Sequence, residues 1–210
     1  MVPVSAFFSR LQPQVIGCPE PLAQQALVDS AIEFCEFTQC LVVDLDPINA
    51  RAGVGGYELD MPSQSRLAQV LRVWFEGREL GAVPYTSVHE VEPLTGVPVY
   101  HFCRDADEVL QLNLYPVPDK DAAKAIRVRV ATKPARNATS VHASLLEQWA
   151  DPIVNGAMRR LHEMPGQTFT NEPRALLLES KVRHQLSVAR IDALRQRTLS
   201  SLTAKMRPFV

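Results

Sequence analysis

Few groups of residues in this chain have the types and spacing that chemistry needs. His162 and Glu163 open the HExxH pattern, in which two histidines one helical turn apart hold zinc and the glutamate acts as a base. The position for the second histidine is Gly166, and Pro165 ends the helix that would carry both ligands. The run GVGG at 53–56 begins like a dinucleotide loop, but Glu58 occupies the next required glycine position and strand-forming residues follow where a helix should receive the phosphate; it reads as a turn. His101 and Cys103 alternate onto one face of a strand and are the best metal-ligand pair in the chain, yet two ligands fall short of a site. Asp105, Asp107 and Glu108 cluster in CRDADEV, a composition suited to a hairpin turn. The five histidines, His89, His101, His142, His162 and His184, are scattered, and neither GxxxxGK[ST] nor GxSxG occurs. These residues predict no catalytic, cofactor-binding or metal site, and no enzyme.

The four cysteines, Cys18, Cys35, Cys40 and Cys103, have no CxxC spacing and read as small buried apolar residues kept as thiols in a reducing compartment. The start of the chain lacks the basic and apolar stretches of a signal peptide, and no apolar run approaches the roughly 20 residues that cross a bilayer. With 210 residues the chain can bury a full core as one large domain or two small ones.

A formal charge of −1 hides a polarity along the sequence. Before Met61, eight acids (Glu20, Asp29, Glu33, Glu36, Asp44, Asp46, Glu58 and Asp60) face only Arg10 and Arg51. After Thr170, Arg174, Lys181, Arg183, Arg190, Arg195, Arg197, Lys205 and Arg207 outweigh Glu172, Glu179 and Asp192. Such polarity suits contact with a partner, including a second copy of the same chain.

The elements that must position these groups follow from periodicity. Pro19 to Thr38 reads as a helix with Leu22, Ala23, Ala26, Leu27, Ala31, Phe34 and Cys35 on one face. From Leu41 to about Lys133 the period falls to two; Ile126, Val128 and Val130 face one way and Arg127 and Arg129 the other, as in a half-solvated antiparallel sheet. Trp74 and Phe75 must point to opposite faces of their strand. After Pro134 a helix carries Leu145, Leu146, Trp149, Ile153, Ala157 and Leu161, with a kink or restart expected at Pro152. Asn171 is the expected cap of a final helix that is apolar along the stripe Leu178, Val182, Leu186, Ala189 and Ala193 and basic elsewhere. The expected fold class is α+β. A helical bundle from residues 1–40 and 134–210 carries a β-rich antiparallel insertion at 41–133.

With those segments placed, the chain resembles the head-to-tail adaptor (connector) proteins of tailed bacteriophages, the tail tubular A-like group among them. The resemblance rests on an ordered set: EFCEFT at 33–38, YELDMP at 57–62, FEGREL at 75–80, LNLYPVPD at 112–119, ATKPARNAT at 131–139, LLEQWADPIVNGAMRRLHEMPGQTFTNEPRA at 145–175, then a long basic helix. It covers nearly the whole chain. It implies a structural virion protein at the neck, assembled in the host cytoplasm, that forms a homo-oligomeric ring, usually twelvefold, between the portal protein and a downstream nozzle or tube protein. The ring continues the channel through which DNA passes without sequence-specific contact, and no membrane is involved. The resemblance places portal docking on the C-terminal region, where Arg183, Arg190, Arg195, Arg197, Lys205, Met206, Arg207, Phe209 and Val210 are the candidate contact residues. A nucleic-acid-binding or packaging accessory protein is the alternative reading, its final helix contacting phosphates.

Overall fold

The computed structural model of the chain describes residues 1–84, 94–106 and 109–198, and at 105, 106, 109, 110 and 196–198 the backbone alone. Two compact units emerge. The first comprises Met1–Leu41, Gln64–Arg66 and the described residues from Thr132 onward; the second comprises the described residues of Val42–Ser63 and Leu67–Ala131.

The first unit is built on three long helices. Helix α2 (Glu20–Thr38), which follows the short α1 (Phe8–Leu11), starts from Pro19 in an extended conformation, with Pro21 in its first turn where a missing N–H costs nothing. Its buried face includes Ala23, Ala26, Leu27, Ala31, Phe34 and Cys35. Helix α3 (Ala143–His162) is broken where Pro152 demands it. The pyrrolidine ring removes the N–H that would reach the Gln148 carbonyl and crowds the preceding turn, so Trp149 leaves helical geometry (φ −125°, ψ 20°). Asn171 caps α4 (Glu172–Thr198), its side-chain oxygen accepting from the Arg174 N–H at 3.1 Å.

Small residues set how closely α2 and α3 approach. Ser30 donates to the Ile153 carbonyl at 2.7 Å, and a Cβ built on Gly156 would meet the Ser30 hydroxyl at 2.3 Å. Beside this contact the Glu33 carboxylate accepts from Arg160 at 2.7 Å and from Arg159 at 3.3 Å. On the other side of α3, Asn155 donates to Gln185 of α4 at 2.9 Å, which satisfies a buried amide. His162 is also buried; one ring nitrogen meets the Phe169 carbonyl at 2.7 Å and ties the end of α3 to the segment that leads into α4. Two short strands, β1 (Val2–Pro3) and β11 (Ser140–Val141), pair antiparallel within this unit.

The second unit is β-rich. One sheet runs β2 (Val42–Asp44), β10 (Ala122–Pro134), β5 (Ser65–Phe75), β6 (Arg78–Glu79), with β3 (Ile48–Ala50) also on β10. The other runs β4 (Gly56–Glu58), β9 (Val109–Tyr115), β8 (Tyr100–Ala106), β7 (Gly81–Ala82). On β10, Ile126, Val128 and Val130 are buried while Arg127 and Arg129 face solvent. Phe75 enters the core with Val73, Leu112 and Leu114. Trp74 faces away and is covered by the Arg129 guanidinium, 5.6 Å from the ring centroid. Arg129 also forks onto Asp44 at 2.6 and 2.8 Å, and that pairing holds the Asp44 carboxyl below its usual range.

The expected helical bundle with an antiparallel insertion is therefore corrected. The molecule is mixed α/β with three sheets, one of them inside the helical unit, and β7 joins β8 in parallel through Gly81↔Tyr100 and Ala82↔His101. The strands behind this difference are two residues long, too short to display a period of two.

Gly156→Ala is expected to destabilise the helical unit by about 1–3 kcal/mol, as overpacking does. Adding Ser30→Ala should recover much of that loss, because the obstructing atom is then gone. Chemical denaturation of the two single variants and the double variant checks this, and additive losses would contradict the geometry.

Candidate partner-binding surface

Helix α4 packs on the rest of its unit through Ala175, Leu178, Val182, Ala189 and Ala193, all buried, with Leu186 half-buried. The sequence expectation of a helix basic everywhere else is corrected by its opposite side. Leu177, Val188 and Ile191 fall within about 60° of one another and roughly 150° from the centre of the packed stripe at 3.6 residues per turn. They are exposed, Leu177 to 73%, and Leu176 and Leu194 flank them, also exposed. Ser180, His184 and Ser187 fill the same side with small or weakly polar groups. The helix thus has two apolar faces, and among the described residues only one of them is packed. Helical-wheel spacing of Leu177, Val188 and Ile191 was the signal that stripe-by-stripe reading of the packed face passed over.

Arg183 and Arg190 lie along one edge of this surface, and Arg195 lies in line with the row toward its C-terminal end. Arg183 pairs with Glu179 at 2.7 Å, Arg195 stands 3.8 Å from Asp192, and Arg190 lies 5.3 Å from the centre of the Phe37 ring of α2. These exposed contacts are each worth about 0–1 kcal/mol and are readily exchanged for a partner's groups. Arg197 lies on α4, where the backbone alone is described. Lys205, Met206, Arg207, Phe209 and Val210 lie outside the described residues. The structure therefore brings Arg183, Arg190 and Arg195 onto one helix.

Beside α4, between α1 and α3, runs a groove of about 630 Å³ lined by Arg10, Asp151, Asn155, Arg174, Lys181 and Gln185. Arg10 donates to Asp151 at 2.6 Å, and Arg174 to the neutral side chain of Gln14. Arg174 sits in the first turn of α4, where the helix dipole is unfavourable to a cation, so the groove is positive at that end. Past Arg10 and Asp151 a second hollow of about 520 Å³ continues along Trp149, Pro152, His184 and Val188 and reaches the outward row of α4. Together these walls can take a polypeptide edge with acidic and apolar side chains.

The residues singled out for chemistry do not converge. His101 is buried with one ring nitrogen unpartnered among the described residues, and Cys103 beside it is pushed up to about 11 by burial. His162 lies in the other unit. His89, Asp107 and Glu108 lie outside the described residues, and of Asp105 the backbone alone is described; Ala106 pairs with Val109. Among the described residues no three His, Cys, Asp or Glu side chains gather as metal ligands. No described helix is long and apolar enough to cross a membrane.

Compared with known proteins, the chain matches no protein-family model and no curated protein.

Burial holds the His101 imidazole below its ordinary pKa, while a hydrogen bond to the Leu80 backbone pulls weakly upward. The unfolded chain, with histidine near 6.5, binds the proton more readily. Stability from neutral His101 is therefore present above about pH 6.5 and is lost as pH falls below it toward the folded pKa. Denaturation midpoints at pH 7.5 and 5.5 should show a smaller acid loss in His101→Gln than in the parent; equal losses would contradict the burial argument.

Proposed function

We propose that this chain is a head-to-tail adaptor of a tailed bacteriophage, a structural ring subunit that docks on the portal through α4 and the tail beyond it. The observation that carries the reading is the outward row Leu177, Val188 and Ile191 on a helix already packed on its other side. A long helix that keeps large aliphatic side chains in water along one face, with Arg183 and Arg190 along its edge and Arg195 at its end, is built to be covered. The resemblance carried by the ordered motifs from EFCEFT to the final helix is what points to a portal as the covering partner.

A ring needs two different complementary surfaces on each subunit, since a head-to-tail contact repeats around the axis until it closes. The acidic first third of the sequence and its basic end supply opposite charges for such a contact. In this reading the β-rich unit meets the downstream tail protein, DNA passes through the lumen, and the protein catalyses nothing.

The groove with Arg10, Arg174 and Lys181 favours one other reading, a nucleic-acid-binding accessory protein. Phosphate contacts through these cations would make DNA binding by the free subunit fall steeply with added salt.

Val188→Asp with Ile191→Asp tests the adaptor reading. Both positions are exposed, so the variant should fold with a stability change of about 0.5 kcal/mol or less per site. Its attachment to the cognate portal should weaken at least tenfold, as should that of a chain lacking Met206–Val210. Portal binding as tight as that of the parent in both variants would overturn the reading.

A further inference from the structure

The chain leaves α2 through Gln39, which takes left-handed angles (φ 53°, ψ 35°) while its N–H donates to the Cys35 carbonyl at 2.8 Å. A left-handed cap of this kind turns the following residue back over the last helical turn, so that it approaches the residue at the start of that turn. Those positions are usually filled by two apolar side chains. Here they are Cys40 and Cys35, and Cys40 packs against the core cluster to which Cys35 belongs. The five-residue step between them is not a CxxC spacing, and only the cap geometry brings them together.

We propose that Cys35 and Cys40 form a reversible disulfide site, oxidised by small-molecule disulfides of the glutathione type. The two sulfurs are unequal in the way such a site requires. Cys35 is fully buried, whereas Cys40 is partly exposed and is the one an external reagent reaches. Cys40 as thiolate attacks one sulfur of the reagent; the reagent's S–S bond breaks, a mixed disulfide forms on Cys40, and one reagent thiolate leaves and takes up the proton. Cys35 then loses its proton and attacks the Cys40 sulfur, expelling the second reagent thiol. The two cysteines lose two electrons and two protons, and the reagent gains them. The contact with Cys40 and then burial hold the Cys35 thiol well above its ordinary value, so the closing step quickens as pH rises.

The test uses the full chain, incubated with oxidised glutathione at about pH 8, then alkylated and examined by intact mass and peptide mapping. The expected product is about 2 Da lighter before alkylation, with a link between the peptides that carry residues 35 and 40. It should have lost two of its four titratable thiols, and dithiothreitol should restore them. Cys18 and Cys103, both pushed up by burial, should stay reduced and serve as internal references. Cys40→Ser should give no internal disulfide and leave Cys35 unreacted, and Cys35→Ala should stop at one glutathione on Cys40. The proposal is overturned if the parent stops at that mixed disulfide, if all four thiols stay reduced, or if the link joins other cysteines. Should Cys35→Ala fail to fold, the parent and Cys40→Ser decide the matter alone.

Discussion

The helical unit turns on a contact between a hydroxyl group and a glycine. Ser30 of α2 donates into the backbone of α3 at Ile153, and its oxygen occupies the space that a side chain at position 156 would need. Interiors packed to crystal-like density fix neighbouring elements once one close approach is set. With α2 and α3 drawn together at this point, Glu33 can reach Arg159 and Arg160. Asn155, one residue before the glycine, meets Gln185 of α4. The small residues Ala175, Ala189 and Ala193 then let α4 pack through one narrow stripe, and Leu176, Leu177, Val188, Ile191 and Leu194 stay outside.

Pro152 supplies the complementary constraint. By breaking α3 at Trp149 it makes the hollow beside Arg10 and Asp151, which continues from the positive groove to the exposed row of α4. Positive groove, hollow and apolar row all lie along α4, the helix on which the proposed docking function rests.

Much of this was legible in the residues themselves. The entry of α2 at its prolines, the kink that Pro152 imposes and the Asn171 cap all follow from local backbone chemistry, and each stands where that chemistry places it. The alternation of Ile126, Val128 and Val130 with Arg127 and Arg129 told the buried face of β10 from its solvated face. What escaped was non-local. The pairing of Val2–Pro3 with Ser140–Val141, and of Gly81–Ala82 with Tyr100–His101, depends on tertiary placement of runs too short to carry a pattern. The second face of α4 escaped for another reason: an apolar row facing water has no partner among the described residues to explain it. The groove likewise needs Arg10, Arg174 and Lys181, which only the packing of α1 against α3 and α4 gathers.

Mass measurement of the purified chain, alone and mixed with its cognate portal, tests the adaptor account most directly. The account predicts a species of 23.4 kDa in isolation that adds to the portal as a closed ring, its copy number equal to that of the portal or in fixed ratio to it. A chain that keeps its own mass in the presence of portal, and binds DNA with a steep salt dependence instead, would contradict it.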